Sequence, residues 1–417
     1  MKKPIISAPI GWEAPMISDV LFFQEGPGVR KWQFREEGVK LLNVGNINNG
    51  ELNLGSTKLH LEESEANGKY SHFLVDEGDL LIACSGIVVS NFHNKIAFAK
   101  KEHLPLCLNT STMRFKPLDE NVINLNFFRY FLQTEIFKKQ LQRLITGSAQ
   151  LNFGPSHIKK IALLLPPLPT QKKIAAILDE ADSYRQKTKA LISKYDELTQ
   201  SLFLDMFGDP VRNEKGWEKK IATEYYEVRG RVGWKGYKKT DLRQDGAIVL
   251  GATHIQSTGV IDLEKVVYLS QEKFIESPEI VVQKGDLIFV QRGNTIGKVG
   301  LVRENMGDAT INPVVLIFRP VNANPLFLLY LLMNKELNRE FVNSNSGSAQ
   351  PMITQKFMRE FMFIDIPLNL QNQFAKRVEA IEAQKAQAQK ELEKAEELFG
   401  SLLQRAFKNG LEQDVKD

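Results

Sequence analysis

Cysteine is nearly missing from this chain. Its 417 residues contain two, Cys84 and Cys107, which excludes a disulfide framework and suits a reducing cytoplasm. Long apolar runs are missing too: the longest aliphatic stretch, Ile161 to Leu165, is far too short to cross a bilayer. The opening Met1-Lys2-Lys3-Pro4 leads into Ile5 and Ile6 but not into the sustained apolar segment of a signal peptide. A soluble cytoplasmic protein with no membrane association is expected. The formal charge of +4 is too mild to announce nucleic acid globally, so any such surface must be local. The six histidines, His60, His72, His93, His103, His157 and His254, show no His-x-x-x-His or Cys/His spacing, and no zinc set is expected. No Gly-x-Gly-x-x-Gly follows a strand pattern, and the run Gly293 to Val299 lacks the spacing and hydroxyl of a phosphate loop. Asn312-Pro313-Val314 and Asp209-Pro210-Val211 both fail the Asn/Asp-Pro-Pro-aromatic pattern with which an adenine methyltransferase holds a flipped base. No catalytic residue, metal or cofactor is expected on this chain.

What the chain does have is a repeat. A shift of 200 residues lays Gly147-Ser148-Ala149-Gln150 on Gly347-Ser348-Ala349-Gln350, Pro167-Leu168 on Pro367-Leu368, Gln171 on Gln371 and Phe207 on Phe407. A repeat of this length means two copies of one architectural unit. After each Pro-Leu the apolar residues recur at three and four residue steps, the signature of one helix face. Ile174, Leu178, Ala181, Thr188, Ile192, Tyr195 and Leu202 face Phe374, Val378, Ile381, Ala388, Leu392, Ala395 and Leu402, with Arg185 and Lys385 sharing the strongly polar position. This is a heptad seam. Each helix would run for roughly 37 residues, about 55 Å, and two such helices most simply pack on each other. Two surface helices on separate domains would have little to bury against.

Residues 1–165 and 209–365 read as two mixed domains, with the helices at 166–208 and 366–410 and a tail at 411–417. The first domain gives strand signals at Val39 to Val44, Leu80 to Ala83, Ile87 to Val89 and Ile96 to Ala99, then one helix from Asn124 to about Thr146. The second repeats that order. Gly216-Trp217-Glu218 answers Gly11-Trp12-Glu13, Gly285-Asp286 answers Gly78-Asp79, Asn312 with Phe318 and Pro320 answers Asn109 with Phe115 and Pro117, and Tyr330 answers Tyr130. Asp79 and Asp286 invite a catalytic reading, but each sits in a Gly-Asp turn before an apolar strand, where side-chain bonding to the backbone is the simpler role. Shared landmarks with loops of different length fit two domains that keep a fold and vary what they bind.

Two loops interleave cations with aromatics. The first holds Arg30, Lys31, Trp32 and Arg35; the second, taken as its counterpart, holds Arg229, Arg231, Trp234, Lys235, Lys238 and Lys239. Such loops suit phosphate contacts. At the ends of matched strands stand Ser85 and the group Gln291, Arg292 and Asn294, the last three of the side-chain types that read guanine and adenine edges. Gln150, Asn152 and Gln350, in the twin Gly-Ser-Ala-Gln loops, are further DNA-binding candidates.

Gly147-Ser148-Ala149-Gln150 followed by Ile158, then Leu165-Pro166-Pro167-Leu168-Pro169-Thr170-Gln171 and a long helix, all repeated once, resembles the specificity subunit of type I restriction-modification systems over nearly the whole chain. Thr170 stands where the usual Pro-Pro-Leu-x-Glu-Gln motif has glutamate, and Ile366-Pro367-Leu368-Asn369-Leu370-Gln371 is looser still. The resemblance implies an α+β chain in which two similar α/β target recognition domains are joined and separated by two long antiparallel helices forming a coiled coil. It implies a non-catalytic subunit that binds double-stranded DNA at a bipartite asymmetric site. Its partners would be modification subunits, two of them, docked on helices carrying Ile174, Leu178, Ala181, Ile192, Tyr195, Leu202, Phe374, Val378, Ile381, Leu392 and Leu402, with restriction subunits possible beyond them. The methyl donor, ATP and Mg would then belong to those partners. Two other classes stay open on the residues alone: a self-contained methyltransferase or nuclease with divergent motifs, and a coiled-coil scaffold without DNA affinity.

Overall fold

A computed structural model describes residues 8–55, 57–145, 150–231, 237–343 and 352–408. The chain divides into two compact units, one built from the residues up to Thr188 together with those from Glu391 onward, the other from Lys189–Lys390. Each unit therefore contains one mixed domain, part of the helix that follows it and part of the other long helix.

The two mixed domains share one topology. In the first, an antiparallel sheet runs in the order Leu21–Glu25, Thr112–Pro117, Leu80–Ala83, Ile96–Phe98. A second sheet sets Leu106–Leu108 parallel to Val39–Leu42, followed by His60–Leu61 and Phe34–Arg35. In the second domain the orders are Tyr226–Arg229, Val315–Pro320, Leu287–Val290, Val299–Leu301, and Ala309–Ile311, Ala247–Leu250, Val267–Leu269, Leu242–Arg243. Leu287–Val290 is apolar throughout because both of its faces are covered. Leu287 and Phe289 join the core built on the helices, while Ile288 and Val290 join the core of the other sheet. Leu316 and Phe318 divide from Val315 and Ile317 in the same way.

The single helix expected from Asn124 to Thr146 is two, Leu125–Phe131 and Glu135–Leu144. Thr134 breaks it, its hydroxyl accepting the Phe137 N–H at 3.2 Å and so starting the second helix as an N-cap. Asn334 does the same between Pro325–Leu332 and Lys335–Asn343, accepting from the Glu336 and Leu337 N–H groups at 3.0 Å.

The long helices span Leu168–Phe207 and Leu368–Lys408. Within each unit the start of one meets the end of the other. Ile174, Ala175 and Leu178 share a core with Phe399, Ala406 and Phe407, and the Arg185 guanidinium stacks 4.2 Å over the Phe399 ring. In the second unit the Phe374 ring lies 5.6 Å from Phe203 and 5.4 Å from Phe207, and Lys385 pairs with Asp196 at 2.5 Å. The pairing is antiparallel. Ile174 and Phe374 thus occupy equivalent positions instead of facing one another, as a parallel seam would require. Leu178, Val378, Thr188, Ala388, Leu392 and Ala395 are buried, and Ala181, Ile192, Tyr195, Leu202, Ile381 and Leu402 are half-buried. The Thr188 and Thr199 hydroxyls satisfy themselves on the Tyr184 and Tyr195 carbonyls one turn back. Among the described residues no helix is long and apolar enough to cross a membrane.

The glutamine of the repeated motif ties each long helix to its own domain. Gln171 is fully buried: its Oε1 accepts the Asn124 N–H at 2.8 Å, and its Nε2 donates to the Val122 and Pro166 carbonyls at 2.9 and 2.8 Å. Asn124 in turn caps Leu125–Phe131 through the Phe127 N–H. Gln371 repeats the arrangement with the Asn324 N–H at 2.9 Å and the Ile366 carbonyl at 2.7 Å, and Asn324 caps the next helix. Farther along, the Tyr130 hydroxyl donates to Asp179 at 2.7 Å and the Tyr330 hydroxyl to Glu382 at 3.4 Å. Arg129 reinforces the first contact at 2.7 Å and Arg303 grips Glu382 at 2.9 and 2.7 Å. Burial pushes both phenols well above their ordinary range, which keeps them protonated donors. Gln171→Ala removes a fully buried side chain that satisfies three backbone groups, and we expect it to lower stability by about 2–3 kcal/mol. The shift of the denaturant midpoint at unchanged slope measures it.

Candidate nucleic-acid interface

The first cationic loop begins where the backbone leaves no room for a side chain: a Cβ on Gly26 would lie 2.4 Å from the Asn109 carbonyl oxygen. After Gly28 the chain makes a 3-10 turn over Lys31–Gln33. Gln33 points inward, its Oε1 accepting the Arg30 N–H at 3.0 Å and its Nε2 donating to the Tyr70 hydroxyl at 3.1 Å. Anchoring this residue turns Arg30, Lys31 and Trp32 outward, and Trp32 is 73% exposed. Arg35 folds one terminal nitrogen back onto the Trp32 and Phe34 carbonyls at 3.0 and 3.2 Å.

The counterpart of this loop is not where sequence landmarks put it. Lys238, Lys239, Thr240, Asp241, Leu242 and Arg243 reproduce residues 30–35 one for one, at an offset of 208. Lys239–Asp241 is the 3-10 turn, and Asp241 accepts the Lys238 N–H at 2.6 Å as Gln33 accepts that of Arg30. Arg243 folds one nitrogen onto the Thr240 and Leu242 carbonyls at 2.6 and 3.0 Å. Gly38 and Gly246 follow three residues later at φ +123° and +119°, each approaching a carbonyl of the neighbouring strand. Lys238 and Lys239 are exposed as expected. Arg229 lies earlier, on strand Tyr226–Arg229, its charge met by Glu227 through Nε at 3.1 Å. Arg231 is a correction: it is only 9% exposed and lies beneath the surface. It donates to the Ile311 carbonyl at 3.1 Å and Thr310 at 3.2 Å, packs on the Tyr237 ring, and is pulled below the usual guanidinium range by burial. A chain segment leaving a sheet edge can turn its arginine either way, and alternation of polar residues does not say which. Trp234 and Lys235 lie outside the described residues. Arg243 was missed; aligning the twin loops on Gly38 and Gly246 would have found it.

A second locus lies at the end of the central strand. In the first domain Ser85–Val88 pairs with Gln150–Asn152, the strand that opens with Gln150. The Asn152 Oδ1 accepts from the Ser85 hydroxyl at 2.6 Å and the Gly86 N–H at 3.0 Å, so exposed Asn152 has only its amide hydrogens left to offer. That is a donor for guanine or thymine acceptors and not the donor-acceptor pair that adenine takes. In the second domain Arg292 and Met352 occupy the same bridge. The Ile353 N–H donates to the Gln291 carbonyl at 2.9 Å, as that of Phe153 does to Cys84 at 2.9 Å. Gln291 donates to the Pro313 carbonyl at 2.9 Å, while Arg292 and Asn294 are exposed on either side of Gly293, whose φ is +98°. Gln350 lies outside the described residues. One scaffold thus carries Ser85 with Asn152 in one domain and Arg292 with Met352 in the other.

Asp79 and Asp286 are structural. Each accepts a backbone N–H three residues before it, from Asp76 at 2.9 Å and Gln283 at 2.7 Å. Each also meets an arginine from the neighbouring strand: Arg114 lies 3.4 Å from Asp79, and Arg319 grips Asp286 at 2.8 and 2.7 Å. Burial nevertheless raises the Asp79 carboxyl above its ordinary range, outweighing Lys116 and Arg114. Among the described residues no group of three His, Cys, Asp or Glu side chains is placed to hold a metal ion.

Two repeats of one strand-turn scaffold, each followed by a long helix of an antiparallel pair, define the class. The chain matches the type I restriction modification DNA specificity domain twice, over residues 9–194 and 215–397, and belongs to that family. It is similar to the type I restriction enzyme EcoKI specificity subunit of Escherichia coli, 21% identical with 97% of this chain and 90% of that one covered. It is 29% identical to the MjaVIII specificity subunit of Methanocaldococcus jannaschii, over 49% of this chain and 48% of that subunit's length. Among solved structures the S subunit from M. genitalium superposes with a TM-score of 0.54 at 16% identity, covering 98% of this chain and 99% of that one. A chain from a study of type I complex assembly and conformational transition gives 0.58 at 16% identity, covering 98% and 100%.

Asp286→Ala strands the Arg319 guanidinium, which is only 17% exposed. We expect a loss of about 3 kcal/mol, seen as a lower denaturant midpoint.

Proposed function

We propose that this specificity subunit reads a two-part, asymmetric DNA site, one half with each repeat, and that it directs an adenine methyltransferase to that site without catalysing a step itself. The observation that carries this reading is the matched locus at the end of the central strand. Ser85 and Asn152 stand in one domain where Arg292 and Met352 stand in the other, so a shared backbone presents two different sets of side chains. Arg30, Lys31 and Arg35 in one domain and Lys238 and Lys239 in the other supply positive charge on exposed turns, with Trp32 exposed beside the first set. Arg292 has the donor fork for a guanine edge. The self-contained enzyme and the bare scaffold have no comparable support: the Gly-Asp carboxylates are bound up in turns, and the cationic turns are duplicated.

Modification subunits dock on the paired helices in this reading, one for each repeat, and restriction subunits join through them. Those partners bring the methyl donor, ATP and Mg. Mapping methylated bases in cells carrying the subunit and its methyltransferase tests the division of labour. Arg292→Ala should relax one position in one half-site at a cost of about 1–3 kcal/mol and leave the other half intact. Equal relaxation of both halves would end the assignment of one reader to each half. Assembly has its own test. Leu392 is buried on the second long helix, and Leu392→Asp places a charge there. The co-expressed complex should then lose its modification subunits on size exclusion, whereas an intact complex would take the helices out of the docking surface.

A further inference from the structure

The two domains differ at the strand-end locus and agree at the cationic turn. Trp32 and Thr240 differ at the apex, and Gln33 and Asp241 differ as caps, but Arg30 and Lys238, Lys31 and Lys239, and Arg35 and Arg243 keep the charge at every matched cationic position. They keep the geometry as well. Arg35 and Arg243 each lie on a two-residue strand, paired with His60 and Tyr268, and each has one terminal nitrogen bound to two carbonyls of the turn before it. Both residues are exposed. The bond to the turn removes most of the rotamer freedom of a long side chain, so the remaining N–H donors are fixed before any ligand arrives. The ion pair of Arg35 with Glu62, at 3.6 Å between half-exposed groups, is weak enough to exchange for another anion.

Two domains that read different base sequences share only one ligand, the sugar-phosphate backbone. A base-reading side chain should differ between them, as Ser85 and Arg292 do. A backbone contact should be the same, as Arg35 and Arg243 are. Resting on the proposed DNA reading, we infer that Arg35 and Arg243, each flanked by its two cations, are the phosphate clamps of the two half-sites, and that they position the duplex without reading it. Arg243 is the sharper case, because among the described residues no glutamate pairs with it as Glu62 does with Arg35.

The test uses the complete complex with its modification subunits, a duplex carrying the methylated motif and a scrambled duplex, each titrated over a series of salt concentrations. For Arg243→Ala we expect affinity for both duplexes to fall by the same factor, about tenfold, and the slope of log K against log salt to become shallower by about 0.9. The methylated motif should be unchanged. Arg243→Lys keeps the charge and should recover the slope. A purely structural role would lower the melting temperature and leave the slope alone; that result overturns the clamp, as does relaxation of a single base position in the motif. Should the wild-type complex bind neither duplex, the DNA reading itself fails and the clamp with it. Salt-dependent binding by the wild type with an unaltered slope in Arg243→Ala removes the clamp only.

Discussion

Everything in this structure depends on two buried glutamines. A helix of 40 residues that leaves a domain needs a fixed angle of departure, and Gln171 and Gln371 provide it by satisfying backbone groups on both sides of the junction. Each bonds the N–H of the residue that caps a domain helix and a carbonyl just ahead of its own long helix. A buried amide has no aqueous alternative, so small changes in angle break several bonds at once. Tyr130 with Asp179 and Tyr330 with Glu382 then hold the next turns of each long helix. The domain ends close in the same spirit: Glu13 pairs with Leu165 through two backbone bonds at 2.9 Å, and the Trp217 indole caps the Phe207 carbonyl at 2.8 Å.

A rigid frame allows surface residues to vary. In the second domain the central strands give alternate side chains to two cores, and in the first Leu80–Ala83 is buried throughout; in both, this fixes their register and leaves only strand ends and turns free to change. That is where the two repeats diverge. The frame also explains why Asp79 and Asp286 belong to folding: each closes a turn and neutralises an arginine from the strand beside it.

Much of this was legible in the sequence, and the exceptions have physical causes. The long helices could be read because heptad spacing is a local signal, and the family because its motifs fall in that same segment. The division of the Asn124 region into two helices was not legible from apolar periodicity, which continues past Thr134; a side-chain cap decided it. The direction of the helix pair is absent from a stripe that both directions bury equally well. Arg231 reads like any loop arginine until the Ile311 carbonyl and Tyr237 ring are seen beside it. Arg243 was hidden because loops of unequal length shift the offset from 200 to 208 between landmarks. Two of the three partners of Gln171, Asn124 and Val122, lie 47 and 49 residues away in sequence, beyond any local pattern.

The core of the first domain contains residues from the far end of the chain. The Phe407 ring lies 5.0 Å from Phe127 and 6.0 Å from Phe131, and Phe399 lies 6.1 Å from Tyr130. On the ribosome the first domain emerges without them, and residues 189–390 must be synthesised before they exist. At about 5–20 residues per second that is a wait of about 10–40 s, during which the Leu125–Phe131 helix lacks the part of its cover that Phe399 and Phe407 supply. The second domain is spared most of this delay, since Phe203 and Phe207 precede it and Phe374 follows it directly. Translation order thus makes two repeats of one topology unequal: the half synthesised first is the last to finish folding.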